Sequence, residues 1–219
     1  MNKNRQAIEL MKENKYEEAA ALFNELIEES PEDPVGYINF GNLLLHLNDY
    51  TRAERFFNKA LELNEYVGTA YYGLGNLYYE QAEYKKAQEN FQKAIDLKIK
   101  DADVYYMMGM TYIHLEEIKL SIPFLQRATE LNPDDAEFLF QYGLSLAKSE
   151  HIDEAQAAFS KVLEMESGHS DAHYNLGVID LYHDKVNEAL NHFEAALRIQ
   201  PDHVLAANGK KNAESLLNE

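Results

Sequence analysis

The sequence predicts an all-α fold built of repeated helix pairs, and three observations carry that reading. The chain repeats with a period of 34 residues along nearly its whole length. Inside one period, apolar residues recur at spacings of three and four, which marks amphipathic helices. Glycine and alanine return at fixed places within those helices, where small side chains serve close approach of two axes. The glycine column is the cleanest: Gly41, Gly75, Gly109, Gly143 and Gly177 keep the period without slippage. At a background glycine frequency of about 7%, four further coincidences from a given start have a chance of about 2 × 10⁻⁵.

Other columns hold the same register. Ala19, Ala53, Ala87, Ala155 and Ala189 form one, with Ser121 in the remaining slot. Phe23, Phe57, Phe91, Leu125, Phe159 and Phe193 form another, and Tyr16, Tyr50, Tyr84, Ile118, Ile152 and Val186 a third. Ala60, Ala94, Ala128 and Ala196 recur with Leu26 and Val162 substituting, and Pro31, Pro133 and Pro201 mark unit ends. With these offsets the pattern resembles the tetratricopeptide repeat (TPR); the stretch from Ala70 to Leu97, AYYGLGNLYYEQAEYKKAQENFQKAIDL, matches almost throughout. Segments such as Asp33 to Leu44, Ile122 to Asn132 and Ile199 to Ala206 are similar to the small cytosolic TPR proteins of Gram-positive bacteria. The resemblance implies a right-handed superhelical solenoid of six units, 1–33, 34–67, 68–101, 102–135, 136–169 and 170–203, followed by a capping helix over 204–219.

Unit one departs from the pattern with Lys3 and Ala7 where a large residue and glycine are expected. A terminal repeat has one face in water and tolerates this. Unit three is the clearest: one helix spans Gly68 to Gln81, Ala82 and Glu83 interrupt it, and a second helix from Tyr84 stops near Lys98. In unit four, Pro123 lies in the second helix. Proline is tolerated in a first turn, so that helix is expected to start late, near Lys119 or Leu120. In unit six, Asp180 stands in the column of Leu44, Tyr78, Tyr112 and Leu146. A buried aspartate there needs a partner; His183, three residues on, is a candidate, and the alternative is that Asp180 is simply exposed beneath the cap. From Val204 onward, Leu205, Ala206, Ala213, Leu216 and Leu217 lie among Lys210, Lys211, Asn212 and Glu214, read as a solvating cap helix.

Composition narrows the function. The 219 residues carry 38 acidic and 20 basic side chains, a formal charge of −18, which disfavours nucleic acid and anionic membrane surfaces as partners. Cysteine is absent, so disulfides, thiolate metal sites and cysteine nucleophiles are excluded, in keeping with a reducing, cytoplasmic location. No apolar segment reaches the 18 residues needed to span a bilayer, and the first fifteen residues hold no signal-peptide core. Gly73-Leu74-Gly75 lacks the third glycine of a phosphate loop and reads as helix packing. His169 and His173 flank Asp171 but straddle a turn, with no further ligand in view, and read as solvated. His46 and His114 read as rim positions. No metal, cofactor or catalytic constellation is expected.

In the TPR family the first helix of each pair lines the concave surface, so the resemblance implies which positions to read. One column there is Ile38, Tyr72, Tyr106, Phe140 and Tyr174; a second is Asn42, Asn76, Met110, Leu144 and Val178. Asn39, Met107, Gln141 and Asn175 lie between them, and Leu45, Tyr79, Ile113, Ala147 and Leu181 lie toward the rim. The signature requires none of these, and a merely solvated face would carry Lys, Glu and Asp instead. The expected binding set is Asn39, Asn42, Tyr72, Asn76, Tyr79, Tyr106, Met110, Phe140, Tyr174 and Asn175. Aromatics give amphipathic contact area at low entropy cost. An asparagine amide offers both a donor and an acceptor and can read a peptide backbone irrespective of sequence. The cations of the family's carboxylate clamp are missing here. Asp103, Glu137 and Asp171 instead form an acidic edge, which either complements helix dipoles or attracts a ligand. The expected function is a non-enzymatic protein-binding module taking an extended, neutral or basic segment; the alternative is a homo-oligomeric scaffold with weak self-association through the groove or the cap helix.

Overall fold

The computed structural model describes residues 3–218. Thirteen α-helices occupy them: α1 Lys3–Lys12, α2 Tyr16–Glu29, α3 Pro34–His46, α4 Tyr50–Leu63, α5 Gly68–Glu80, α6 Tyr84–Asp96, α7 Ala102–His114, α8 Ile118–Leu131, α9 Ala136–Lys148, α10 Ile152–Met165, α11 Ser170–Tyr182, α12 Val186–Ile199 and α13 Val204–Leu217. Among the described residues there is no strand. The chain forms two compact units, one up to Leu115 and one from Glu116. The first holds α1–α7, each packed on the next in sequence, with α3 also against α5 and α5 against α7. The second holds α8–α13, again packed in sequence, with α11 also against α13.

Each repeat is punctuated the same way. Asp33, Val67, Asp101, Asp135, His169 and His203 immediately precede the first helices from α3 onward, at the 34-residue period. Four of the five with a polar side chain accept from a backbone N–H two or three residues ahead within 3.2 Å: Asp33 from Val35, Asp135 from Phe138, and His169 and His203, through Nδ1, from Ala172 and Ala206. Such caps satisfy donors that the helix start leaves open. At the turn between helices of a pair, the backbone enters the left-handed region at Asn14, Asn48, Ala82, Glu150 and Asp184. In the third repeat, Glu83 N–H bonds the Tyr78 carbonyl at 2.8 Å and Ala82 N–H bonds Tyr79 at 2.9 Å, closing α5 in a Schellman motif.

The core follows the small-residue and phenylalanine columns. Phe23, Phe57, Phe91, Phe159 and Phe193 are fully buried, each worth about 1.5–3 kcal/mol relative to exposure. All but Phe23 lie against helix backbone that glycine leaves bare. A Cβ at Gly75 would sit 2.5 Å from two ring atoms of Phe91, its own repeat's phenylalanine. Gly73, on the other side of α5, stands equally close to Phe57 of the preceding repeat. The Gly-Leu-Gly stretch is therefore a two-sided packing device, as its position inside a helix predicts.

Two local expectations are corrected. The helix holding Pro123 does not start late: α8 begins at Ile118, in register with the other second helices, and Pro123 is its sixth residue. Pro123 deprives the Lys119 carbonyl of its donor, at a residue that is exposed. The Ser121 hydroxyl bonds the Ile118 carbonyl at 2.7 Å, and Leu120 N–H bonds Glu117 at 2.9 Å, which tightens the first turn. Asp180 is buried, but its partner is His192 on α12, with Nε2 3.7 Å from Oδ2; His183 turns instead toward Asp153 at 3.5 Å. On α13 Ala206 and Ala213 point inward, while Leu205, Leu216 and Leu217 are exposed. The docking of Gly209 on the Phe193 ring fixes that rotation.

Candidate functional site

In the first unit, α3, α5 and α7 lie side by side and bring Asn39, Asn42, Tyr72, Asn76, Tyr79, Tyr106 and Met110 onto neighbouring first helices. Asn42 is exposed; the other six are half-buried. Asn39 donates through Nδ2 to Asn4 Oδ1 at 2.6 Å, so its amide already joins α3 to α1. Tyr72 leans on Phe91 with ring centroids 5.9 Å apart. Burial raises the Tyr72 phenol above its ordinary pKa, and a hydrogen bond from the Asn76 amide partly offsets the rise. The amide oxygen of Asn76 is shielded from solvent and lacks a hydrogen-bond partner. Buried acceptors in native proteins are seldom left unmatched. Tyr79 meets Tyr84 and His114 edge-on at 5.5 and 5.4 Å, and the His114 ring stacks on Tyr84 at 4.5 Å. Both rim histidines are thus engaged with tyrosines, since His46 Nε2 lies 2.9 Å from the Tyr16 hydroxyl.

The second unit treats its predicted positions differently. Phe140 is only 7% exposed and packs between Phe159 and His169, at 5.6 and 4.5 Å, so it serves the core and presents no open ring. Ile38, its counterpart in the first unit, is buried as well. Tyr174 is half-buried between Phe193 and His203. Asn175 Nδ2 donates to the Asp171 carbonyl of its own helix at 2.8 Å. Of the acidic residues, Asp103 opens α7 and is exposed, Glu137 accepts from Gln141 at 2.9 Å, and Asp171 Oδ1 lies 3.0 Å from His203 Nε2. His203 is almost fully buried, and its two ring nitrogens serve a helix cap and this contact.

The histidines around His169 are not solvated as the turn suggests. His169 caps α11 through Nδ1, and His173 Nδ1 lies 3.0 Å from His192 Nδ1. The half-buried His173 and His192 and the buried Asp180 form a line between α11 and α12. Burial lowers the pKa of both histidines, and their mutual repulsion lowers His173 further. Burial raises Asp180, against the opposing pull of His192 and Lys185. Sequence reasoning missed this line because its members lie on two helices; only the odd Asp180 signalled it. Among the described residues no three His, Asp or Glu groups are placed to hold a metal ion, and no helix is long and apolar enough to cross a membrane.

The half-buried aromatic and amide side chains thus lie on the first helices, and comparison with known proteins agrees with the repeat assignment. Tetratricopeptide repeat family models match residues 4–67, 37–100, 102–135, 136–169 and 170–203. No match is found among curated proteins. Among solved structures, the chain is similar to YrrB, a TPR protein with an unusual peptide-binding site: 46% identity, TM-score 0.81, covering 86% of this chain and 97% of that one. It also shares its fold with MamA at 24% identity and TM-score 0.70, covering 78% of this chain and 93% of MamA. PilF of Pseudomonas aeruginosa shares the fold at 12% identity and TM-score 0.82, with 96% of each chain covered. With its 34-residue period, paired helices and these matches, the chain belongs to the tetratricopeptide repeat family and is an all-α module for protein–protein interaction.

Proposed function

We propose that the first-helix face of the unit formed by α1–α7 binds an extended segment of a partner protein, and that the chain is a non-enzymatic, cytoplasmic adaptor. The observation that carries this is the Asn76 amide oxygen, shielded and without a partner, beside a half-buried Tyr72. Rotation of the half-buried Asn76 side chain brings that oxygen to an extended peptide laid across α5, whose backbone N–H it then accepts, while Tyr72, Tyr79, Tyr106 and Met110 take up side-chain area. Asn42, exposed one repeat away, offers a second amide. Asn39 contributes less, because its amide is held by Asn4. The peptide-binding site of YrrB supports the reading by analogy at 46% identity. Asp103 at the mouth of α7 and the charge of −18 favour a neutral or basic segment.

The test is calorimetry of the full chain with extended neutral and basic peptides, compared with Asn42→Ala/Asn76→Ala. Each lost hydrogen-bonding site costs about 0.5–1.5 kcal/mol, so the double variant should bind about 5- to 150-fold more weakly and melt near the parent. Binding that is unaffected by the double variant would place the ligand elsewhere. A second reading, association of copies, draws on Val204, Leu205, Leu216 and Leu217, all exposed on α13. Light scattering across a dilution series separates it: a mass that rises with concentration and is lost in Leu216→Ser/Leu217→Ser supports association.

A further inference from the structure

Helix α4 carries a cluster that neither the repeat pattern nor the first-helix face accounts for. Arg52, Arg55 and Lys59 follow one another at spacings of three and four, which puts them on one helix face. No other repeat has three cations there: the equivalent positions are Glu18, Ala21 and Glu25 in the first repeat and Glu188, Asn191 and Ala195 in the sixth. The third comes nearest, with Lys86 and Lys93, but interposes Glu89. In a chain with almost twice as many acids as bases, this concentration is unusual, and packing does not require it, because all three side chains are exposed.

These cations border a groove of about 480 Å³ between α3 and α4. Its apolar lining is aromatic: Tyr37 and Phe56 lie 6.2 Å apart, and Phe56 is seated on Phe40 at 4.6 Å. Both lining rings are half-buried. Asn58 adds an amide to the lining. Two of the cations are already tethered. Arg52 Nε bonds Asp49 at 2.6 Å, and Lys59 bonds Glu62 at 3.0 Å. These exposed pairs are weak and exchangeable. Arg55, between them, has no ion-pair partner among the described residues. The groove therefore offers an apolar pocket of side-chain size with an uncommitted guanidinium at its rim and a flanking cation one turn away on either side.

We propose that this α3–α4 groove is a second binding site, which takes a short acidic segment of a partner protein with an aromatic side chain between its carboxylates. The aromatic ring stacks on Tyr37 and Phe56, and a carboxylate pairs with Arg55 in the bidentate manner that guanidinium favours. A neighbouring carboxylate displaces Glu62 from Lys59 or Asp49 from Arg52. Charge complementarity selects an acidic occupant, and the aromatic lining selects a peptide over a free anion. The chain's net negative charge opposes approach from afar, but screening confines that repulsion to about 8 Å at physiological ionic strength.

The experiment is a chemical-shift titration of the full chain with a synthetic Glu-Glu-Phe-Glu-Glu peptide, with Lys-Lys-Phe-Lys-Lys and inorganic phosphate as the other arms. The acidic peptide should shift Tyr37, Arg55, Phe56 and Lys59 and bind at least tenfold more weakly to Arg55→Glu. Because Arg55 is exposed and unpaired, that variant should keep the parent's melting temperature. Affinity should fall as salt rises, and Arg55→Lys should restore part of it. Shifts confined to the first-helix face, equal response to the lysine peptide, equal response to phosphate, or undiminished binding by Arg55→Glu would each overturn the assignment. Since Asn42 and Asn76 lie on a different surface, the double asparagine variant should bind this peptide like the parent, which separates failure of this site from failure of the first-helix face.

Discussion

Replacing Gly75 with alanine tests the packing principle on which the whole repeat rests. In an open helix the change is favourable by about 1 kcal/mol, because glycine is the weaker helix former. Here the new methyl carbon would lie 2.5 Å from two ring atoms of Phe91. Carbon atoms sit comfortably at about 3.5–4.0 Å, so α5 and α6 must part by roughly 1 Å or the ring must turn. Phe91 is fully buried and has nowhere to turn. Overpacking of this kind costs about 1–3 kcal/mol, and the fully buried Phe91 ring places it at the upper end. The net expectation is a loss of about 2 kcal/mol, or roughly 4–8 °C for a chain of this length. Hydrogen exchange should show α5 and α6 losing protection before α12, since repeats couple mainly to neighbours. Gly168→Ala is the control: its added carbon meets nothing within 4 Å, and its φ is not in the left-handed region. It should stabilise by about 0.4–1 kcal/mol through the unfolded chain. If Gly75→Ala melts at or above the parent, the close-approach explanation of the glycine column is wrong.

Further outcomes follow from the same geometry. Ala82 holds φ near 57° and Glu150 near 67°, a conformation costing an L-residue about 1 kcal/mol; Ala82→Gly and Glu150→Gly should each gain about that much in urea unfolding. His173 and His192 have pKa values depressed in the folded state, so their contribution is complete above the unfolded value of about 6.5 and is lost as pH falls through the folded values. Asp180 runs the opposite way: its pKa is raised, so it costs stability at neutral pH and recovers some as the medium is acidified through that raised value. The second unit should therefore loosen between pH 7 and 5, read by exchange in α11 and α12, with His169, His183, Lys185, Glu188 and Arg198 contributing to the local field. Asp180→Leu restores the apolar residue of its column and should stabilise by about 1 kcal/mol or more at pH 8, where a loss would show that the His192 contact outweighs the desolvation.

The sequence by itself determined the class of fold, the period and the helix pairing, because each is written locally. The spacing of apolar residues sets a helix, and a glycine column every 34 residues sets the contact between two of them. It could also name Asp180 as anomalous, since one carboxylate in an apolar column is visible without coordinates. What it could not decide was which side chains meet across helices. That Asn76 leaves an acceptor unmatched, that Phe140 belongs to the core, and that Asp180 answers to His192 rather than His183 all depend on the rotation of one helix against another. The rotation is fixed by how phenylalanine rings seat on glycine backbones, a matter of fractions of an ångström that no periodicity encodes. The α3–α4 groove is of the same kind: its cations are adjacent in sequence, but the aromatic rings they border come together only when α3 lies down on α4.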